Sequence, residues 1–424
     1  MNKKAIWGWT MYDWADSAFA TTIMAAVLPI FYTDVAGASL PSTTATAYWG
    51  YTSSIAMLII AVLAPILGAI ADYSRSKKKF LRFFVYMGSI STALLFFTGE
   101  GDYLLVSFLF ILGMIGFSGG NVFYDSFLPE IVPLEKMDEV STRGYAFGYI
   151  GGGFLLLLNL AMIQKPQFFH LSSSLIATQL SFLSVGIWWI LFSLPLFRYV
   201  HEERITKSSS SKQSSFIGIG LKRVGQTFKE IKHYKELLKF LFAFWLYNDG
   251  ISTIIKMATI YGREIGIDTM DLIAALLITQ FVGIPFSLLF GKLANRIGSQ
   301  RALYFSLWTY VIIVVFGYFM QSAIHFYILA TAVGLVQGGS QAISRSIFGS
   351  MVPVKRTAEF FGFYGISSKF SAILGPFVFG LVGQITGSSR FGIVSLVLFF
   401  IIGIWILSRV NIQKGQKEAK LASN

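Results

Sequence analysis

The stretch GGNVFYDSFLPEIVP at residues 119–133 recurs as GSQAISRSIFGSMVP at residues 339–353 without a gap. The copies share their first glycine, a serine and a final Val-Pro, while Asp125 stands opposite Arg345. A shorter pair recurs as GAIADYSR at 68–75 and GKLANR at 291–296. Each of these segments closes an apolar run of membrane length. Duplicated halves of apolar helices are typical of secondary transporters, whose substrate lies between the halves near the membrane midplane.

The composition excludes a soluble protein. Of the 424 residues, 54% are hydrophobic and only 13% are charged, which is too little polar surface to cover a body of this size. The net charge of +13 does not indicate nucleic-acid binding, because the basic residues lie mostly in short links between apolar runs. The chain has no cysteine, which excludes disulfides and thiolate chemistry. Asp13 and Asp16 interrupt the first apolar stretch, so we expect no cleavable signal peptide.

Twelve apolar runs are long enough to span a bilayer. The pattern predicts an all-α membrane protein with twelve transmembrane helices in two pseudo-symmetric six-helix bundles. We number the predicted spans 1 to 12 in chain order. Their approximate bounds are residues 7–33, 46–71, 80–99, 103–126, 140–163, 175–198, 238–261, 270–294, 301–320, 324–348, 358–384 and 389–409.

The links between spans predict the orientation. Lys and Arg concentrate in the links on one side, and this excess is typical of cytoplasmic loops. We therefore expect a multi-pass protein of the cell membrane with both termini cytoplasmic. The predicted regions are an N-terminal six-helix bundle (1–199), a cytoplasmic linker (200–236), a C-terminal six-helix bundle (237–411) and a cytoplasmic tail (412–424). Residues 216–233 of the linker have helical apolar spacing among Lys and Arg, which favours an amphipathic helix on the membrane surface; a regulatory partner-binding segment is the alternative.

The loop after span 2 resembles the signature loop of the major facilitator superfamily. Gly68, Asp72 and Arg75 stand at its spacing, followed by lysines at 77–79, and the likeness in overall organisation covers nearly the whole chain. The resemblance implies the major facilitator fold and usually a monomer. It also implies that Asp72 pairs with the neighbouring half when the cytoplasmic side is closed, and that Arg75 and the lysines hold the loop against the start of span 11 and anionic lipid. The alternative is that this basic cluster only fixes topology.

A narrower resemblance rests on YDWADSAFATT at residues 12–22 of span 1 and YNDG at 247–250 of span 7. These segments resemble the autophagy vacuolar effluxer-like family and its bacterial relatives. Fungal members of that family are described as exporting amino acids from the vacuole. Asp16 departs from the family pattern, in which we expect Asn.

Ionisable residues inside apolar spans are costly, so each is a functional candidate. Asp13 and Asp16 share one face of span 1, and two carboxylates in a low dielectric bind protons more readily. This pair is a candidate proton-coupling site. The alternative is that both are ionised and pair with Arg345 or Arg143.

Two further charges lie deep in the second half. Asp249, next to Asn248, stands midway through span 7, where Asn, Asp and Gly weaken a helix and favour a break that lines a cavity. Lys369 lies near the middle of span 11, and its expected partner is a substrate carboxylate or Asp249. Opposite charges of this kind would hold a small zwitterion. A structural ion pair and, for Asp249, an interhelical hydrogen bond are the alternatives.

Asp125 and Arg345 occupy equivalent positions in spans 4 and 10 and predict a salt bridge that closes the central opening. The alternative pairs are Arg345 with Glu359 and Asp125 with Arg143. The tryptophans near run ends are expected to be interfacial anchors, Trp9 among them. Polar and aromatic residues near the charges predict further cavity wall; these are Tyr12, Asn121, Tyr247, Gln337, Gln341 and Tyr364.

The sequence predicts transport rather than catalysis. No metal-ligand spacing or phosphate-binding loop is present, so we expect no cofactor, no metal and no ATP hydrolysis. The leading hypothesis is secondary active transport of a small solute, with amino acids or related metabolites as one substrate class and protons as one candidate coupling ion. A lipid or drug exporter of the same fold is the alternative if the cavity is mainly apolar. A non-transporting receptor or scaffold is a third, which the desolvation cost of the intramembrane charges disfavours.

Overall fold

The computed structural model of the chain describes residues 2–202, 234–370 and 374–421, and it is helical throughout. The first span is bent. Helix α1 (Lys3–Ala18) continues as π-helical turns over Phe19–Ala26 and then bends by 41° into α2 (Leu28–Phe31) and a second π-helical segment, Tyr32–Ala36. Pro29 stands just after the bend and lacks the amide hydrogen that a continuous helix needs.

Long helices make up the rest of the molecule. The first part of the chain contributes α3 (Ser42–Ser74), α4 (Lys77–Leu94), α5 (Tyr103–Ile131), α6 (Met137–Gln164) and α7 (Ser174–Tyr199). The second part contributes α8 (Lys235–Glu264), α9 (Thr269–Ile297), α10 (Ser299–Tyr318), α11 (Ala323–Ser350), α12 (Thr357–Phe370), α13 (Leu374–Thr386), α14 (Ser389–Ser395), α15 (Val397–Leu407) and α16 (Ile412–Leu421).

Most of the predicted spans coincide with helices of membrane length. Within the described residues, nine helices are long and apolar enough to cross a bilayer, and the bent first pair makes a tenth. The predicted spans 7 and 11 are the exceptions. Span 11 is divided between α12 and α13, with residues 371–373 outside the described part of the chain. Span 7 is less apolar because α8 carries Asn248, Asp249 and Lys256, yet α8 is one continuous helix. The predicted break at residues 247–250 is therefore wrong.

Each repeat has its own apolar core. One buried cluster draws its members from Ala5 to Val200 and includes Ala358 of the second repeat, and a second draws its members from Tyr234 to Val410. Large apolar side chains such as Phe108, Phe316 and Phe377 point outward and are more than half exposed. An apolar surface of this kind needs lipid as its solvent.

One end of the molecule carries the start of α1 and the end of α15, and we call it the terminal face. The ring of Trp7 at the start of α1 lies 5.9 Å from the ring of Tyr199 at the end of α7. Glu236 at the start of α8 accepts a hydrogen bond from the Asn411 amide at 2.8 Å. The predicted tail is helical over Ile412–Leu421. The amphipathic helix expected at 216–233 lies outside the described residues, and the four region boundaries stay a prediction.

Candidate functional site

Arg345 on α11 is the centre of a buried charge cluster. The residue is 3% exposed, and its guanidinium reaches Asp125 on α5 at 3.0 Å and Asp13 on α1 at 3.4 Å. Tyr124 donates a hydrogen bond of 2.6 Å to the Asp13 carboxylate. The predicted pair of Asp125 with Arg345 is thus present, with Asp13 as a second partner. One cation joins helices from both repeats.

Neutral groups satisfy the rest of the Arg345 guanidinium. Its Nε donates to the Ser141 hydroxyl at 2.9 Å, and an Nη donates to the Ser141 carbonyl at 2.9 Å. The Ser141 hydroxyl in turn donates to the Ala342 carbonyl at 2.8 Å, which ties α6 to α11. The guanidinium also lies 4.7 Å from the ring of Trp9 and 4.6 Å from that of Tyr145. A buried cation with this set of partners is stabilised in place, and removing one acid would leave charge uncompensated.

A polar cavity of about 260 Å³ lies against the Arg345 cluster, and we call it the central chamber. Asp16 lines it, is 4% exposed and has no ion pair within the described residues. Asn121 lies beside the Asp16 carboxylate. The rest of the wall includes side chains from both repeats, among them Tyr149, Gln280, Gln337 and Gln341.

A second polar cavity of about 200 Å³ shares Asn121, Gln341 and Asp125 with the central chamber. Its other wall carries Asn248 of α8 and Tyr364 of α12. The polar path between the repeats therefore includes α8 and α12.

A third cavity, about 170 Å³, is apolar, and we call it the apolar chamber. It lies mostly within the second repeat, between α8, α9 and α11, with Ile254, Leu276 and Ala330 in its wall. Gln280 and Gln337 line both this cavity and the central chamber, so the two adjoin.

Asp72 at the end of α3 holds the start of α12. Its two carboxylate oxygens accept hydrogen bonds from the Ala358 amide at 3.2 Å and the Glu359 amide at 2.8 Å. These amides belong to the first turn of α12, where backbone donors lack helical partners and a negative charge is favourable. Lys77 lies 2.8 Å from the same carboxylate. Asp72 thus binds the other repeat through backbone donors.

Lys77 extends this contact at the terminal face. Its ammonium donates to the Thr357 hydroxyl at 2.5 Å and also pairs with Glu130 of α5. The Thr357 hydroxyl donates to the Glu130 carboxylate at 2.9 Å. Thr357 begins α12, so an ammonium and a carboxylate of the first repeat both contact the first residue of that helix.

Comparisons with known proteins identify the family. A family model described as "Vacuole effluxer Atg22 like" matches residues 35–420. An uncharacterized MFS-type transporter, YxiO of Bacillus subtilis strain 168, is 43% identical over 404 residues, covering 95% of this chain and 94% of that protein. The chain belongs to the Atg22-like vacuole effluxer family. It is a transporter of the major facilitator superfamily and not an enzyme.

Further relatives agree with this Atg22-like assignment. Autophagy-related protein 22 of Eremothecium gossypii is 25% identical, covering 87% of this chain and 78% of that protein. Among solved structures, the proton:xylose symporter XylE superposes with a TM-score of 0.70 at 14% identity, covering 99% of this chain and 98% of the symporter. A variant of the Escherichia coli fucose:proton symporter FucP also gives a TM-score of 0.70 at 14% identity, with 96% of this chain and 98% of that one covered. The predicted family and fold class are confirmed.

Two predicted gating residues of the Atg22-like chain, Arg75 and Arg143, lie outside the buried charge contacts between the repeats. Arg75 is exposed at the end of α3. The expected contact with the start of α12 is made by Lys77. Arg143 is exposed and lies 5.5 Å from the Phe147 ring, so the alternative pair of Asp125 with Arg143 is wrong.

The alternative pair of Arg345 with Glu359 is also wrong. Glu359 sits in the first turn of α12 and pairs with Arg356 at 3.0 Å. Arg345 lies instead among Asp13 and Asp125. The two basic residues therefore serve different contacts.

Asp249 of the effluxer-like chain makes an interhelical hydrogen bond. The residue is 1% exposed, and its carboxylate accepts from the Gly375 amide at 2.9 Å, in the first turn of α13. It is not among the residues lining the three cavities described above. The expected pairing with Lys369 stays a prediction, because the side chain of Lys369 lies outside the described residues.

Two predicted cavity tyrosines are core residues. Tyr247 is 1% exposed and shares a 2.6 Å hydrogen bond with the Ser344 hydroxyl, which joins α8 to α11. Tyr12 is fully buried with its ring 4.5 Å from the ring of Tyr124. Neither residue lines the central chamber. Asp16, Asn121, Asn248, Gln337, Gln341 and Tyr364 do line polar cavities, as predicted.

Several residues of this Atg22-like site were missed from the sequence. Trp9 is fully buried rather than interfacial, and its indole donates to the Tyr124 carbonyl at 3.0 Å. Its spacing of four residues from Asp13 was the available signal, since residues at i and i+4 share a helix face. Ser141 and Tyr145 have the same spacing on α6, but nothing in the sequence connects them to Arg345.

Proposed function

We propose that this chain is a secondary active transporter that moves a small solute across the cytoplasmic membrane by alternating access. The observation that carries the proposal is the Arg345 cluster, which bridges the repeats. Asp13, Asp125 and Arg345 are the chamber-lining residues of α1, α5 and α11 nearest to the terminal face. A chamber between two repeats that is closed at one end is the arrangement that rocking transporters use. Amino acids and related metabolites are the first solutes to test, because the family resemblance of spans 1 and 7 implies that class.

The orientation follows from charge. The terminal face carries Lys3, Lys4, Lys77 and Lys78 together with the basic end of the chain. An excess of Lys and Arg in short loops favours the cytoplasm. The Arg345 cluster would then close the cytoplasmic side, and the chamber would be reached from outside.

Asp16 is the proposed exchangeable acid. It lines the chamber and has no cation partner in the part of the chain that the structure describes, whereas Asp13 and Asp125 are held by Arg345. A buried carboxylate without a fixed cation can be neutralised by a proton or by a ligand cation. Proton release from Asp16 would therefore accompany a change in what the chamber holds.

The test is transport into proteoliposomes carrying a pH gradient of either sign, with radiolabelled leucine, lysine and glutamate as probes. Wild-type protein is expected to accumulate at least one probe, and Asp16→Asn is expected to lose the dependence on the gradient. Asp34→Asn is the matched control, because Asp34 is an exposed acid that accepts from Thr33 in the far segment of span 1. Accumulation that depends on the gradient equally in Asp16→Asn would refute the coupling role.

The scaffold alternative makes the opposite prediction. If no amino acid, alkylamine, lysolipid or cationic dye crosses vesicles that contain the folded protein any faster than empty vesicles, the transport proposal fails.

A further inference from the structure

We propose that the substrate is a monovalent organic cation with an apolar arm, whose ammonium binds at Asp16 and whose arm fills the apolar chamber. The inference rests on the proposed transport function and names the substrate class of the same site. It depends on the adjoining polar and apolar cavities and on how charge is distributed between them.

The charges around the central chamber are unbalanced. Among the described residues, three acids line it, Asp13, Asp16 and Asp125, against one cation, Arg345. Arg345 is shared by Asp13 and Asp125, so the formal charge of the cluster is −2 when all four are ionised. An ionised acid away from water needs a cation or a proton. A ligand ammonium supplies that charge, whereas a ligand carboxylate adds to the repulsion.

The neutral groups near Asp16 suit an ammonium donor. The Asn121 side-chain oxygen is buried and has no hydrogen-bond partner within the described residues. Gln337 and Gln341 bring further amide oxygens to the chamber wall. An ammonium has three donors and no acceptor, so it can bind one carboxylate and two amide oxygens.

The apolar chamber suits an uncharged arm. Its volume of about 170 Å³ is similar to that of an engineered apolar cavity of about 150 Å³ that takes up benzene. The hydroxyl of Tyr261 in its wall already donates to the Gly317 carbonyl at 3.1 Å. The chamber can therefore accept a ring or short chain of about six carbons without leaving that polar group unsatisfied.

The two cavities meet at two glutamines. Gln280 of α9 and Gln337 of α11 line both. A ligand that spans this boundary touches Asp16 of the first repeat at one end and Ala330 of the second repeat at the other. Such a ligand contacts both repeats at once, with its ammonium at one end and its apolar arm at the other. A compact polar solute in the central chamber would contact both repeats only through its polar groups.

The experiment is isothermal titration of purified full-length protein in detergent with n-alkylamines from butylamine to octylamine. The matched n-alkanols and n-alkanoates serve as neutral and anionic series. Wild-type protein is expected to bind amines at least tenfold more tightly than alkanols of equal length. Each added methylene up to hexylamine is expected to tighten binding about fourfold. Alkanoates binding as tightly as amines would overturn the proposal.

Two variants test the ammonium site and the apolar chamber separately. Asp16→Asn is expected to weaken amine binding at least tenfold while alkanol binding changes less than twofold. Ala330→Phe fills the apolar chamber and is expected to abolish the dependence on chain length. The control is Ile328→Phe, which adds a ring at a lipid-facing site of the same helix that is 60% exposed. Chain-length dependence that persists in Ala330→Phe would assign it to detergent partitioning and overturn the arm site.

This outcome is separable from that of the transport test. Amine binding that follows these rules, without any solute movement in vesicles, would support the site and refute transport. Movement of leucine without amine binding would support transport and refute the cation site.

Discussion

In the first repeat, α3 meets α12 through Gly68 and Asp72; in the second, α9 meets α6 through Gly291, and Asn295 stands at the position equivalent to Asp72. Both glycines permit close packing of helices from opposite repeats. A methyl group on Gly68 would lie 2.4 Å from the Ala358 carbonyl oxygen, and one on Gly291 would lie 2.2 Å from the Thr142 hydroxyl. The backbone arrangement is thus kept in both copies.

The polar chemistry differs between the copies. Asp72 is buried and binds two amides of α12 together with Lys77. Asn295 is exposed. In the second copy the acid is on the other side, where Asp138 of α6 accepts a hydrogen bond from Ser299 at the start of α10. In the first copy the acid therefore lies on the helix that carries the glycine and has a lysine partner, whereas in the second copy it lies on the opposing helix and accepts from a serine hydroxyl.

The two copies also differ in polar chemistry at Asp125 and Arg345. These residues occupy equivalent positions in the two repeats and carry opposite charges. Two identical acids or two identical cations at these positions would repel each other across the central axis. Duplication followed by a change of charge in one copy turns equivalent positions into an ion pair. The contacts that close the terminal face need both repeats, so a change in either one should weaken the closure.

The largest expected effect is that of Arg345→Gln. It leaves Asp13 and Asp125 buried without their cation, and breaking a buried pair in this way costs about 3–5 kcal/mol. We expect a large fall in the thermal unfolding midpoint of the purified protein. Arg409→Gln is the control, because Arg409 is an exposed cation of the same repeat that stacks on Trp405 at 4.8 Å. Equal midpoints for the two variants would contradict the account.

The second-largest expected effect is the loss of stability when an alanine replaces Gly68 rather than Gly291. Gly68→Ala meets a backbone carbonyl that cannot move without separating α3 from α12, so overpacking should cost about 1–3 kcal/mol. Gly291→Ala meets the Thr142 side chain, which can rotate, so a smaller cost is expected. Adding Thr142→Ala should restore the Gly291→Ala protein, and no such partner exists for Gly68→Ala. Chemical unfolding of the four proteins would measure this; equal losses for both single variants would contradict it.

The smallest expected effect is the change in closure when the charge at position 72 or 295 is altered. Asp72→Asn removes a charge from the start of α12 and from Lys77, and we expect about 1–2 kcal/mol of weaker closure. Asn295→Asp adds a charge at an exposed position and should change stability by less than about 0.5 kcal/mol. Labelling of an Ala342→Cys reporter, buried beneath the closure, by a membrane-impermeant maleimide would measure both. Faster labelling in Asn295→Asp than in Asp72→Asn would refute the asymmetry.

The sequence predicted contacts between equivalent side chains better than contacts with backbone. The pair of Asp125 and Arg345 followed from the repeat alignment, because pseudo-symmetry brings equivalent positions to one axis. The true partners of Asp72 and Asp249 are amides in the first turns of α12 and α13. Those partners could not be predicted, since every residue type except proline supplies a backbone N–H donor. The apolar chamber was missed for a related reason, because its wall residues have the same composition as ordinary core.

The central claim is that the two repeats close the terminal face together and must separate there for transport. The chain has no native cysteine, so spin labels can be attached at Glu135→Cys and Lys355→Cys alone. These positions are exposed and equivalent in the two repeats. The distance between the labels, measured by double electron–electron resonance in lipid nanodiscs, is expected to have one main short population in the otherwise unmodified protein. A second, longer population is expected to grow in Asp72→Asn and to dominate in Arg345→Gln. One unchanged distance in all three proteins would contradict the account.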